Sequence, residues 1–537
     1  MGSIGNVEVL DALIVGAGFG GVYQLKNLRD NGYKVKLVDF SSDFGGVWYW
    51  NRYPGARVDS TVPHYEFSDP ELWKNWNWKQ RFPGSQELRE YFSYVADKWD
   101  LRKDTEFNTF ISKAEFNEQT NMWHITSKSG KEFYARYFLL NTGFSAKRHT
   151  PDWKGIDKFK GTWVHPSFWP KEEPDLRGKK VAVIGTGATG LQLSQELSQV
   201  AKEFVVFQRT PNLALPMYQV NYKEGEQNVP REKYPELFAG RRESFAGFNF
   251  NFTPRSTFDD TPEQRKQHYQ KLWDHGDFHY YLANYQDMLF DDAANKEAYN
   301  FWKQKVRARI NDPNLHELLA PEHQPHSFGC KRVSLENGFY EIFNQPNVSL
   351  VDTKSTPIVE VTERGIRTTE KEWDFDYIVC ATGFDAVTGG LLQIDITGKG
   401  GQPLSSKWKN GTKTYLGMAV SGFPNMFFTY GPQAPTALCN GPTCAEYQGD
   451  YIIGMMNHMR KAGLQHIGAR GEEEQQWGEQ IRKFAYASLL PKTDSWYMGT
   501  NIPGKIREPL IYLGGVPNYY KELERSREGG FVEFDLS

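Results

Sequence analysis

The stretch Asp11-Ala12-Leu13-Ile14-Val15-Gly16-Ala17-Gly18-Phe19-Gly20-Gly21 decides the fold. A short apolar run meets closely spaced glycines, and Val22, Leu25 and Leu28 follow at helical spacing, so the segment reads as strand, glycine turn and helix. Gly16 permits the tight turn, Gly18 lets backbone N–H groups approach a pyrophosphate, and Gly21 lets helix and strand pack closely. An anion placed there sits on the amino terminus of the helix. The next apolar run, Lys34-Val35-Lys36-Leu37-Val38, ends in Asp39, whose carboxylate can accept both ribose hydroxyls of a dinucleotide and repels a 2′-phosphate.

The pattern recurs. Val181-Ala182-Val183-Ile184 runs into Gly185-Thr186-Gly187-Ala188-Thr189-Gly190 and a helix carrying Leu191 and Leu197. Its second strand, Phe204-Val205-Val206-Phe207, ends not in an acid but in Gln208-Arg209-Thr210, which puts a guanidinium where a 2′-phosphate would lie. An acid-ended site and an arginine-ended site in one chain point to two different nucleotides, FAD and NADPH. Tyr137-Phe138-Leu139-Leu140 before Asn141-Thr142-Gly143, and Tyr377-Ile378-Val379-Cys380 before Ala381-Thr382-Gly383-Phe384-Asp385, read as returns between paired nucleotide domains. The expected fold is α/β: two Rossmann-like dinucleotide-binding domains, the second inserted in the first and carrying a helical insertion. The expected boundaries are 1–146 and 384–537 for the FAD-binding domain, 147–216 and 329–383 for the NADP-binding domain, and 217–328 for the insertion. Within the insertion Ala298, Trp302, Val306 and Ile310 recur at four-residue intervals before Asp312-Pro313 and predict a helix, with Trp273, Phe278 and Tyr281 as packing core.

Composition narrows the function classes. The 537 residues predict about three or four domain-sized units. With 63 Lys+Arg against 66 Asp+Glu the net charge is -3, so no basic field attracts nucleic acid or anionic lipid. Cys330, Cys380, Cys439 and Cys444 are too scattered for a disulfide framework, contain no C-x-x-C and match no zinc spacing; no metal site is expected. Met1-Gly2-Ser3-Ile4-Gly5-Asn6 lacks the charged and apolar regions of a secretion signal, so the expected location is cytoplasmic. The most apolar window, Tyr415 to Tyr430, is interrupted by Gly417, Gly422, Pro424 and Asn425 and reads as buried strands and turns, not as a membrane span. Asp374-Phe375-Asp376 and Arg307-Ala308-Arg309 read as solvated faces.

Phe159-Lys160-Gly161-Thr162-Trp163-Val164-His165-Pro166-Ser167-Phe168-Trp169-Pro170 resembles the F-x-G-x-x-x-H-x-x-x-W-P fingerprint of type I Baeyer-Villiger monooxygenases, the group that includes cyclohexanone monooxygenase. The resemblance extends over nearly the whole chain, through Gly45-Gly46-Val47-Trp48, Tyr53-Pro54-Gly55, Lys331-Arg332 and Trp496 with Asn501-Ile502-Pro503-Gly504-Lys505. It implies that NADPH reduces FAD, that reduced FAD adds dioxygen, and that the resulting peroxide anion attacks a ketone to give an ester or lactone, with sulfoxidation as a side activity. It also implies that Arg332 is the cation that keeps the peroxide anionic, and that Asp59 pairs with it. Gly46, Trp48 and Tyr65 join Gly16, Gly18, Gly21, Asp39 and Asp59 around FAD. Lys331 and Thr210 join Arg209 on the 2′-phosphate beside Gly185, Gly187 and Gly190, and Trp496 lies on a mobile loop that closes over NADP.

His165 titrates near neutrality when unperturbed, yet its place on the linker before the second nucleotide domain assigns it to domain coupling, with Phe159, Gly161 and Trp169, and not to proton transfer. Two stretches depart from the family: Asn141-Thr142-Gly143-Phe144-Ser145, and Tyr430 to Cys444 in the region that lines the pocket. The partners implied are therefore a ketone of open size and dioxygen, with the oligomeric state undefined. Two alternatives stand beside this reading: an N- or S-oxygenating flavin monooxygenase, and an NADPH-binding flavoprotein that does not oxygenate.

Overall fold

The computed structural model describes residues 8–223, 225–227 and 229–537, so the opening hexapeptide lies outside the described residues. The chain begins with β1 (Val9–Val15), crosses through the helix Phe19–Asp30, and returns as β2 (Val35–Val38), parallel to β1. Val22, Leu25 and Leu28 are fully buried against the sheet, as their spacing requires. β3 (Thr105–Glu106) extends the sheet, and β4 (Ile111–Asn117), β5 (Met122–Ser127) and β6 (Glu132–Leu140) form an antiparallel meander. The last residues of β6, Tyr137–Leu140, run parallel beside β1.

The chain then leaves for a second sheet. β7 (Thr162–Val164), β8 (Lys180–Ile184) and β9 (Glu203–Gln208) enter it, and β10 (Leu215–Pro216) leads into a helical region containing Tyr234–Gly240, Pro262–His275 and Asp292–Arg307. β11 (Leu335–Glu336) pairs with β10, so the two ends of that region meet. β12 (Val348–Asp352) follows, then a small meander of β13 (Ile358–Val361), β14 (Gly365–Thr368) and β15 (Glu372–Asp374), and β16 (Tyr377–Cys380) completes the five-stranded order β12-β9-β8-β16-β7. Its strands are all parallel, which is why they read as continuous apolar runs. Finally β17 (Asp395–Thr397) and β18 (Met426–Phe428) rejoin the first sheet, making it eight-stranded. The second sheet is therefore inserted between β6 and β17 of the first.

Several expectations change. The fingerprint segment is not a linker: Thr162–Val164 is the edge strand of the second sheet, paired with β16. Three residues are too few to display a strand period, and the pairing that makes them a strand is long-range. The helix predicted through Ile310 ends at Arg307; Ile310 follows in a turn, N–H donated to Arg307 O, and is buried by packing and not by helical register. Arg307 and Arg309 are not a solvated face: Arg307 pairs with Glu317 and Glu322, and Arg309 clamps the buried Glu336 at 2.7 Å together with Glu341. Asp374 and Asp376 are exposed, as a solvated face requires, while Phe375 between them is buried and Asp376 accepts a hydrogen bond from the Lys180 N–H at 2.8 Å. Trp273, Phe278 and Tyr281 sit in the core shared by the helical region and the second sheet. All four cysteines are buried and free. The window Tyr415 to Tyr430 contributes β18 and buried turns, and among the described residues no helix is long and apolar enough to cross a membrane.

Candidate active site

Both glycine turns lie at the carboxyl ends of central parallel strands, where such folds bind their ligands. In the first cradle Gly16 has φ +111°, and a Cβ there would lie 2.2 Å from the Asn141 carbonyl oxygen. A Cβ on Gly21 would meet Gly16 O at 1.8 Å, so helix and strand approach as closely as backbone allows. Gly46 presses on Gly18, its missing Cβ 2.8 Å from the Gly18 Cα, and closes the far side. Asp39 ends β2 with both carboxylate oxygens engaged, accepting from the Ala17 N–H at 2.7 Å and the Ser41 N–H at 2.6 Å. Trp48 Nε1 donates to the Tyr65 hydroxyl at 3.0 Å. Gly16, Gly18, Asp39, Gly46, Trp48 and Tyr65 all line one cavity of about 640 Å³.

Asp59 and Arg332 lie on the wall of that cavity. The guanidinium grips the carboxylate through two bonds, Nε to Oδ2 at 2.7 Å and Nη2 to Oδ1 at 2.8 Å, and donates its Nη1 to the Ala437 carbonyl. The Phe278 ring, 5.1 Å away, backs the guanidinium, so Phe278 belongs both to the core and to the site. Burial opposes the charge on Arg332, but the attraction and hydrogen bonds of Asp59 outweigh it and hold its pKa above the ordinary arginine value. Asp59 follows a turn in which Gly55, φ +78°, brings the chain onto the helix Ala188–Leu197; a Cβ there would lie 2.8 Å from Gln192 O. The Tyr53 hydroxyl donates to Gln192 Oε1 at 2.9 Å, tying the segment that carries Asp59 to the second cradle.

The second cradle repeats the turn. Gly185 has φ +104° and would clash with Ala381 O at 2.5 Å if it bore a Cβ, and Gly190 would meet Gly185 O at 1.9 Å. Gly187 differs: its missing Cβ faces open space. Arg209 is exposed at the end of β9. Lys331 is pushed down from the ordinary lysine value by burial and by the neighbouring Arg209 charge, so two cations repel each other where an anion would relieve both. Thr210 adjoins them, its carbonyl accepting from the Thr186 hydroxyl at 2.9 Å. The Trp496 ring stacks on Phe144, centroids 5.2 Å apart. Its loop is tied down by Asn501 Nδ2 to Phe384 O at 2.8 Å and Lys505 Nζ to Asp385 at 2.8 Å.

In the fingerprint, Phe159 packs against the cluster that Ala182, Val205 and Ile378 form on one face of the second sheet, and a Cβ on Gly161 would lie 2.5 Å from Asp376 O. Trp169 is buried against Tyr377. His165 is buried, with its Nδ1 accepting from Ser167 and its Nε2 facing Gly383 O at 3.0 Å. Burial pushes its pKa down to about 4. It is neutral at physiological pH and bridges the fingerprint to the return after β16.

Sequence reasoning missed three contributors: Asn141, which buttresses the first turn and accepts from Thr429; Phe278 behind Arg332; and the Ala437 carbonyl. Only Asn141 carried a signal, its place immediately after β6. Outside the cleft, His275, Asp277 and His279 converge, but the Asp277 carboxylate is held by Arg81 at 2.7 Å and by the His279 N–H at 2.7 Å. Each cradle has the chemistry of a dinucleotide site: glycines whose absent side chains leave room for phosphate, a helix amino terminus, and an acid in one and paired cations in the other.

Comparison with known proteins accords with this geometry. The flavin-binding monooxygenase-like family model matches residues 11–220. The chain is 48% identical over 530 residues to the cyclopentanone 1,2-monooxygenase of a Comamonas species, covering 99% of this chain and 96% of that one. It is 34% identical to the cyclohexanone 1,2-monooxygenase of an Acinetobacter species, over 98% of this chain and 96% of the other. Among solved structures, the OTEMO complex with FAD and NADP superposes with a TM-score of 0.94 at 34% identity, covering 98% of this chain and 99% of that one. Two glycine cradles of opposite charge preference, one cavity wall carrying a clamped arginine, and full-length similarity of this order lead to one conclusion: the chain belongs to the Baeyer-Villiger monooxygenase family.

Proposed function

We propose that this enzyme oxygenates ketones to esters or lactones with NADPH and dioxygen, and that compact cyclic ketones are its first substrate class. The observation that carries the reading is the doubly bonded Arg332–Asp59 pair on the wall of the cavity that also holds the first cradle. FAD, when bound and reduced, supplies the dioxygen chemistry. Arg332 holds a permanent positive charge at the cavity wall, where it stabilises negative charge developing on oxygen during attack on a carbonyl. Asp59 aims it and offsets the penalty of its burial. Asp39 binds the FAD ribose, and Arg209, Thr210 and Lys331 bind the NADPH 2′-phosphate. Trp496 and its loop cover the cleft and exclude water. His165, neutral and hydrogen-bonded at both nitrogens, ties the fingerprint to the return that leads from the second sheet back to the first and transfers no proton.

The domain partition follows the two sheets: 1–146 with 384–537 around FAD, 147–216 with 329–383 around NADPH, and 217–328 as the helical cover. The relative that shares 48% identity is named for cyclopentanone, which supports a small ring as the first ketone to test. A cytoplasmic location rests on the four free cysteines.

The test is turnover of the FAD-loaded protein with NADPH across a panel of cyclic and linear ketones, following ester or lactone by gas chromatography and hydrogen peroxide in parallel. Lactone formed in step with NADPH consumption is expected. Hydrogen peroxide in full stoichiometry with NADPH, and no ester from any ketone, would overturn the proposal. Oxidation of amines or thioethers alone would favour the N- or S-oxygenating alternative.

A further inference from the structure

Several partly or wholly buried arginines of this protein face a carboxylate: Arg81 faces Asp277, Arg241 faces Glu446, Arg309 faces Glu336 and Arg332 faces Asp59. Arg148, like Arg57 on the same cavity wall, has no carboxylate within ion-pair distance among the described residues. It lies half-buried on the wall of the same cavity as Gly18 and Asp39, beside the carbonyl-bridged strip where Arg148 pairs with Phe384. Its neighbour Lys147 takes the nearby acid, Asp385, at 3.1 Å. The Arg148 guanidinium rests on the Phe168 ring, and its Nε donates to the Ser167 hydroxyl at 2.8 Å. Among the described residues neither Nη group has a hydrogen-bond partner or a carboxylate within ion-pair distance. Burial, with no compensating acid, lowers its pKa to about 10.

A guanidinium kept in a cleft without a counter-charge fits an anionic ligand, and the planar fork of two Nη groups matches the oxygens of a phosphate. The cleft also contains glycine turns and helix amino termini, the backbone chemistry that receives pyrophosphates. Ser167 then matters, because its hydroxyl is shared: it accepts from Arg148 Nε and donates to His165 Nδ1 at 2.9 Å, while His165 Nε2 reaches Gly383 O at 3.0 Å. One continuous hydrogen-bonded line therefore runs from the cavity, through the fingerprint, to the return after β16.

We propose that Arg148 is a nucleotide-phosphate ligand, and that through Ser167 and His165 it makes the fingerprint respond to the dinucleotide it holds. This rests on the dinucleotide reading of the two cradles. The shared chemistry is a pyrophosphate, which FAD and NADPH both bring.

The experiment measures equilibrium affinity, not turnover. FAD is titrated into the flavin-free protein and NADP⁺ into the FAD-loaded protein, by flavin fluorescence and absorbance, for wild type, Arg148→Ala and Arg148→Lys at low and high salt. Arg148→Ala is expected to weaken one dinucleotide by about 10- to 100-fold, with Arg148→Lys intermediate and the difference shrinking at high salt. Which titration moves identifies the pyrophosphate that Arg148 holds. Thermal unfolding without nucleotide is expected to be unchanged or raised in Arg148→Ala, since an uncompensated charge is removed, while the stabilisation conferred by the affected nucleotide shrinks. Affinities for both FAD and NADP⁺ within twofold of wild type would overturn the proposal. Wild-type protein that takes up neither nucleotide would remove the underlying reading as well, a result distinct from unchanged variant affinities.

Discussion

The two cradles share a turn and differ in how finished they are. The first is closed from several sides: Asn141 and Gly46 press on its glycines, and Asp39 is already locked by two backbone N–H groups. The second is open: Gly187 faces empty space, Arg209 is exposed, and Lys331 beside it is destabilised by the like charge. A prebuilt site holds its nucleotide through many turnovers, since little ordering remains to be done on binding. A site whose charges are relieved only by the ligand suits a nucleotide that arrives and leaves in each cycle. The same folding unit thus serves a resident cofactor and an exchanging one.

The largest effect should come from filling the first turn. Gly16→Val places a branched side chain at positive φ and onto Asn141 O, and the protein is expected to lose FAD altogether; wild-type flavin content by absorbance would break the comparison. Gly187→Ala in the second turn should keep its flavin and lose affinity only for NADP⁺.

Next, Arg332→Ala is expected to lower ester formation by about 10²–10³-fold while NADPH oxidation continues, because one preorganised charge is missing from the cavity wall. Normal ester yield by gas chromatography would sink its assignment. Smaller is the effect of Arg209→Ala, which should weaken NADPH by about 10- to 100-fold and NADH hardly at all. Equal weakening of both, read from their KM values, would show that the open cradle does not recognise the 2′-phosphate.

The smallest concerns pH. His165 is held at about 4 in the folded chain against 6.5 in the unfolded one, so between those values only the unfolded chain takes the proton. Stability is intact above pH 6.5 and is lost progressively as pH falls towards 4. His64 and His326, pushed down to about 3 and about 4 by burial, act in the same direction. Replacing His165 by Gln should flatten the acid limb of a Tm-against-pH curve by roughly 2–4 °C, and a limb as steep as that of wild type would remove His165 from the link between the sheets.

Much of this molecule is legible locally. Val9–Val15 with its glycines, Lys180–Ile184 with its own, and Asp39 against Arg209 at the ends of second strands all announce themselves within short windows, because turn chemistry and strand burial act on neighbours in sequence. Where local signals are weak, the reading slips. Thr162–Val164 becomes a strand only by pairing with β16, and Ile310 is buried without belonging to the helix whose period it seemed to continue. Arg309 reads as a solvated charge until Glu336 and Glu341 fold beneath it.

The amino-acid sequence by itself determined the two nucleotide units, their charge preferences and, through the fingerprint, the family. Tertiary structure decided the geometry in which charges meet. Asp59 and Arg332 stand 273 positions apart, and neither announces the other in composition or period. The resemblance paired them, and the fold supplies the geometry: Gly55 seats the Asp59 turn on the second cradle, Phe278 backs the guanidinium, and the Ala437 carbonyl takes its third bond. The physical reason is range. Propensity, turn chemistry and amphipathic period are properties of neighbours along the chain, whereas compensation of a buried charge depends on whatever group the fold brings beside it.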